Sequence, residues 1–181
     1  MNQSKIISLL FLGLLSISAS PIVARSLASS GTVIAFWRML LASLFLWIYS
    51  AFYYKNMKSL SYSNKIKTSL AGALIGIHFI LFFEAVKITT IANATFLGTL
   101  APFFTLMIEF SVFKRRYKKM VYLGLIISLF GTLIVLMNDF DLSSRFTLGN
   151  IYAILCSLAI ALAFLIAEKV RDTEGTIEYT R

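Results

Sequence analysis

The residues of this chain that could do chemistry are few, and they stand inside long apolar stretches. Arg38 lies in AFWRMLLASLF, His78 and Glu84 in GIHFILFFEAV, and Asn93, Thr95, Thr99 and Pro102 in IANATFLGTLAPFF. A polar or charged group in such a setting is costly to bury and marks a contact with another helix, a ligand or a proton path. Arg38 and Glu84 are expected at comparable depth on neighbouring antiparallel helices, where an ion pair would relieve the burial of both charges. The same guanidinium could instead act at a gate, contact a ligand carboxylate, or snorkel to the headgroups. His78, the sole histidine, suits an interhelical hydrogen bond, or a proton relay or ligand contact, since imidazole titrates near neutral pH. Thr95 and Thr99, one turn apart and next to Asn93, form a polar stripe. That stripe would line a cavity, unless the hydroxyls bond back to their own helix. Pro102 has no N–H for the turn before it, and its ring presses on that turn. A kink freeing the Gly98 carbonyl is therefore expected, and bent helices at mid-membrane are common places for binding sites. Pro21 is expected to act similarly on the Ile17 carbonyl, and Glu109 to pair with the basic loop that follows it.

Nothing in the sequence supports catalysis, a cofactor or a metal. No nucleophile, base and orienting group can be assembled, and no glycine-rich phosphate loop follows a strand. One histidine without spaced acidic or thiol partners does not make a metal site. Cys156, the single cysteine, permits no intrachain disulfide and reads as a small buried packing residue.

The elements that must hold these residues are six apolar runs, at roughly 6–24, 32–54, 68–86, 91–113, 120–137 and 148–167. About 20 apolar residues span a bilayer as a helix. Hydrophobic residues make up 59% of the chain, above the roughly 45–50% of soluble domains, and the gaps are too short to hold a soluble domain. The fold class is therefore all-α, a polytopic membrane protein with six transmembrane helices. Small residues at helical spacing predict contact stripes: Gly72 and Gly76; Gly124, Ser128 and Gly131; Gly149, Ala153, Ser157 and Ala161. The first run has the basic, apolar and small-residue parts of a cleaved signal. Pro21 follows the small-x-small site and the apolar run continues past it, so retention is expected.

The net charge of +9 does not point to nucleic acid, because its placement follows topology. Lys5, Lys55, Lys58, Lys65, Lys67, Lys114, Arg115, Arg116, Lys118, Lys119, Lys169, Arg171 and Arg181 fall on one side, against Arg25, Lys87 and Arg145 on the other. Positive residues stay cytoplasmic, so both termini are expected inside. The basic gaps would also touch anionic lipid.

Runs two to five carry a recognisable order: AFWRMLLASLF, then FFEAVKITTIANATFLGTLAPFFTLMIEF, a basic loop, and YLGLIISLFGTLIVL. The segment at Ala85–Lys87, the small-residue entry Ala92–Asn93–Ala94, Ala101–Pro102, the Gly124…Gly131 helix and the opening SISASPIVARSLA all take part. The chain resembles the EamA-type repeat of the drug/metabolite transporter superfamily over about residues 6–171. One departure is Lys114–Arg115, where the family usually closes its fourth helix with Gly-Glu, so no role of that glutamate carries over. The resemblance implies two inverted five-helix repeats and a central cavity lined by helices one, three and four, with His78, Thr95, Thr99 and the Pro102 kink in the lining. Residues 1–140 then read as one five-helix repeat, and 141–181 as the first helix of an incomplete second one plus a cytoplasmic tail. The expected function is an inner-membrane metabolite permease or efflux transporter, truncated or split and not transporting alone. The alternative is a non-transporting remnant or membrane assembly subunit. Expected partners are the lipid bilayer, a small-molecule metabolite, and a second copy or a chain supplying the second repeat, with no nucleic acid.

The charge pattern makes one firm prediction. Reporter fusions after Lys58, Lys119 and Arg181 should all read cytoplasmic and one after Asp141 external. An external reading at Lys119 overturns the topology.

Overall fold

The structure, a computed structural model, describes residues 3–53, 60–138 and 144–171. Lys55, Lys58 and Arg181, used in the charge argument, and the fusion point Asp141 lie outside the described residues. Every described element is a helix: α1 (Gln3–Ser26), α2 (Gly31–Tyr53), α3 (Tyr62–Ile88), α4 (Ile91–Gly98), α5 (Ala101–Ser111), α6 (Lys119–Asn138) and α7 (Ser144–Arg171). Among the described residues five segments are long and apolar enough to cross a bilayer, one of them Ile91–Ser111, which contains both α4 and α5. With the 20-residue α6, they account for the six apolar runs. α1 continues as one helix through Pro21.

The fourth span is where the expected kink is corrected. It is two half-helices, and Pro102 sits in the first turn of the second, where a missing N–H costs nothing. α4 ends just before it. Thr99 N–H reaches the carbonyls of Thr95 at 3.0 Å and Phe96 at 3.2 Å, and Leu100 N–H that of Leu97 at 3.3 Å. α5 restarts with Phe103 and Phe104 N–H both on the Leu100 carbonyl.

α3 is the hub. It packs against α1, α2, α4 and, most extensively, α7. Apolar side chains gain little by leaving lipid for a neighbouring helix, so association depends on close backbone approach and dispersion. α7 supplies this on the predicted stripe: Gly149, Ala153, Ser157 and Ala161 are all buried. A second stripe at Cys156, Ala159, Ala163, Ala167 and Val170 is buried as well, because α4 and α5 also rest on α7. Ala153 joins Ala85 and Val86 of α3 and Ala94 and Leu97 of α4 in one core cluster. Ala24, Ala35 and Phe83 form another that unites α1, α2 and α3.

The other two predicted stripes are not helix contacts. A Cβ added at Gly72, Gly76, Gly124 or Gly131 would meet nothing within 4 Å, and α6 makes its main contact with α4. The critical glycine at the α2–α3 crossing is Gly31. A Cβ there would lie 2.6 Å from the Phe83 carbonyl carbon and collide with Glu84 backbone. Gly31→Ala should therefore destabilise by about 1–3 kcal/mol through overpacking. Gly72→Ala, into open space, should be neutral or gain up to about 1 kcal/mol of helix propensity. Equilibrium unfolding in mixed micelles checks both, and an unchanged Gly31→Ala refutes the close crossing.

Candidate functional site

A cavity of about 400 Å³ lies among α1, α2, α3 and α4. Ser18, Ser20 and Pro21 line it from α1, Arg38 from α2, His78, Phe79 and Phe82 from α3, and Ile91, Thr95 and Gly98 from α4, with Thr99 at the break. His78, Thr95 and Thr99 are thus brought together as the sequence grouped them, and Arg38 joins them. Pro102 is not among the described lining residues; its contribution is to start α5 and so to leave the break beside the cavity.

Each polar group in the lining has a definable capacity. Arg38 Nη1 donates to Ser20 Oγ at 2.6 Å. Its Cζ lies 4.5 Å from the Phe79 ring centroid and 5.7 Å from that of Phe83. His78 Nδ1 is 2.8 Å from the Cys156 carbonyl. A carbonyl only accepts, so Nδ1 carries the proton, and in the neutral ring Nε2 is left as an acceptor. The imidazole stacks on Phe82 and meets Phe79 edge-on, at 6.3 and 5.0 Å between centroids. Thr99 Oγ1 donates to the Phe96 carbonyl at 2.8 Å, one of the local bonds the sequence allowed. The Thr95 hydroxyl has no hydrogen-bond partner among the described residues.

Asn93, grouped by sequence with this stripe, is not in the described lining. It is 1% exposed, and its Oδ1 is buried without a partner. Ser20, Phe79 and Phe82 escaped the sequence reading. Serine and phenylalanine are so common in apolar runs that no local signal separates those facing a cavity from those facing lipid.

The expected Arg38–Glu84 ion pair does not form. Glu84 Oε1 accepts from Thr32 N at 2.8 Å and Thr32 Oγ1 at 2.9 Å, so α3 caps the N-terminus of α2, where a carboxylate also meets the positive end of the helix dipole. Arg38 is six residues further along α2, about 9 Å deeper and turned to another face. The same end of the bundle is tied by Arg25 Nη1 to the Thr89 carbonyl at 2.7 Å, Thr89 Oγ1 to Asn150 Oδ1 at 2.9 Å, and Lys87 to the Leu27 carbonyl.

At the opposite end Glu109, 5% exposed, pairs with the basic loop. Arg115 Nη1 reaches both Glu109 and Glu168 at 2.8 Å, and Tyr117 donates to Glu109 Oε2 at 2.6 Å. Lys169 covers the Phe113 ring at 4.2 Å. These contacts fasten the α5–α6 loop to the end of α7. The hydrogen bond to Glu109 holds the Tyr117 phenol above its usual range, with loss of hydration adding to it. The bonds to Glu168 and then Glu109 raise Arg115.

The discontinuous fourth span, the α3 hub and the cavity among α1, α2, α3 and α4 belong to a polytopic helical membrane protein. Residues 4–137 match the EamA-like transporter family, and the chain belongs to it. It is also 34% identical over 83 residues to the thiamine-repressible mitochondrial transport protein THI74 of Saccharomyces cerevisiae, a match covering 43% of this chain and 22% of that protein. The chain thus aligns with less than a quarter of that relative's length. No solved structure matches. The family is one of membrane transporters.

The separation of Arg38 from Glu84 is testable. A double-mutant cycle with Arg38→Gln and Glu84→Gln should give additive losses of stability, within about 0.5 kcal/mol. A larger coupling restores the ion pair.

Proposed function

We propose that this chain is the solute-binding repeat of a metabolite permease in a bacterial-type inner membrane, with both termini cytoplasmic. The cavity is its solute site: Arg38, His78, Thr95 and Thr99 offer polar contacts, and Phe79, Phe82 and Ile91 the apolar wall. The observation that carries this reading is the break at Thr99–Leu100 bordering the cavity, because interrupted helices at mid-membrane let a solute reach polar groups that a continuous helix keeps covered. Arg115, Lys169 and Arg171 gather at one end of the bundle, which favours that end as cytoplasmic. Residues 1–140 act as one repeat. A second repeat, in a second copy or a partner chain, rocks against it, and α7 belongs to that second half.

The test combines access and flux. In a Cys156→Ser background, Thr99→Cys should react with a membrane-impermeant maleimide, while Ile126→Cys on lipid-facing α6 should not. Membrane vesicles from the native cells, where a second repeat can be supplied, should take up at least one member of a panel of labelled organic acids, amino acids and nucleosides, whereas the purified chain alone in liposomes should not. That uptake should fall about tenfold or more in His78→Ala, and the same solute should protect Thr99→Cys. No uptake above vesicles lacking the chain, with Thr99→Cys unreactive, overturns the permease reading.

A further inference from the structure

We infer that the cavity selects a small organic monoanion with an apolar or aromatic body, its negative group held by Arg38; this rests on the permease reading. The first ground is the state of Arg38. Its contacts are a serine hydroxyl and two phenylalanine faces, all neutral. The described residues that line the cavity include no carboxylate, and Glu84 is committed to Thr32. The guanidinium is half-buried, seven residues into α2 and so about 10 Å from its start. A cation held away from water without a counter-charge favours an anion that can approach it, and only one of the five guanidinium N–H donors is taken by Ser20.

The second ground is the neighbouring chemistry. The Thr95 hydroxyl lacks a partner among the described residues and can donate to a second carboxylate oxygen. His78 Nε2 accepts, which suits a hydroxyl or amide N–H on the solute rather than its charge. Phe79, Phe82 and Ile91 give the body an apolar wall. The volume, about 400 Å³, falls in the usual small-molecule range of roughly 300–1,000 Å³. One cation matches one negative charge, so a doubly charged phosphate would carry an uncompensated charge into a mostly apolar space.

The test uses three probes of one shape: 3-phenylpropionate, its amide, and 3-phenylpropylamine. Cys156 is fully buried, so a thiol-reactive dye follows thermal unfolding of the purified chain in neutral detergent. 3-Phenylpropionate should raise the midpoint saturably, with a half-saturating concentration about tenfold or more below that of the amide, and the amine should have no effect. Arg38→Gln should remove the preference for the anion, Arg38→Lys should keep part of it, and Thr95→Val should weaken it several-fold. An equal response to acid and amide, or an undiminished response in Arg38→Gln, overturns the inference. If Arg38→Gln does not fold, the three-probe comparison in the wild-type chain and in Thr95→Val decides alone. Loss of the effect on adding phosphatidylglycerol, but not phosphatidylcholine, assigns the anion site to a lipid headgroup and overturns the solute. Anion-selective binding without any uptake sustains this inference and sinks the permease reading. Uptake of neutral or cationic solutes without anion preference does the reverse.

Discussion

A backbone N–H or carbonyl left bare in hydrocarbon costs several kcal/mol, and every helix end in a membrane presents some. This chain meets the constraint by tying the end of one helix with a polar side chain from another. Glu84 of α3 accepts an N–H of α2's opening turn, that of Thr32. Arg25 of α1 reaches the carbonyl of Thr89, where α3 stops, and Lys87 of α3 reaches the carbonyl of Leu27, where α1 has stopped. At the far end, Arg115 N–H returns to the Glu109 carbonyl at 3.0 Å while its guanidinium holds Glu109 and Glu168. These contacts bind neighbouring spans to α3 and α7, which is why those two helices form the frame.

The same economy explains the cavity. Small residues let α7 lie close along α3, and Gly31 lets α2 cross α3 at backbone contact near Glu84. Further along α3, Phe79 and Phe82 line the cavity together with residues of α1, α2 and α4. Space opens where the side chains become aromatic, and the α4–α5 break falls beside it. The charged residues at the helix ends are spent on helix ends. Arg38, in the interior, has no helix end to serve.

Much of the architecture was legible because hydrocarbon thickness imposes a length on each run, and the all-helical, six-run order followed from that alone. The site was legible only in part. Thr95 and Thr99 sit at i and i+4, so helical spacing alone placed them on one side of α4. Pro102 announced an irregularity, but a proline reads alike inside a kinked helix and at the start of a new one; what decides is that Thr99 and Leu100 close the preceding turn. Arg38 and Glu84 matched in depth by residue count, yet a rise per residue says nothing of rotation, and Thr32 was nearer the carboxylate. Gly72 and Gly76 carry the same local signal as Gly149 and Ala153. Only the second pair meets a helix, and which glycine is met is a property of the whole bundle. Lys114, at φ 55°, occupies a conformation that favours glycine, at the point where this chain departs from the Gly-Glu its resemblance led one to expect. The turn is kept there with a residue less suited to it, and Arg115 beside it serves the ion pairs instead.

The sign of the site depends on what the break does with its own polar groups. The C-terminal carbonyls of a half-helix carry partial negative charge and would ordinarily draw cations or donors. Here the carbonyls of Thr95 and Phe96 are taken by Thr99 N–H, that of Phe96 also by the Thr99 hydroxyl, and that of Leu97 by Leu100. The carbonyl of Gly98 is left, because Pro102 has no N–H to give it. Beside Arg38 the lining thus offers this carbonyl, threonine hydroxyls and one imidazole, none of them charged in the neutral ring. Arg38 is then the one full charge among the described lining residues, and in a mostly apolar space a single full charge outweighs several weaker dipoles. The local capping that keeps α4 and α5 separate thus also leaves the electrostatics of the cavity to the guanidinium.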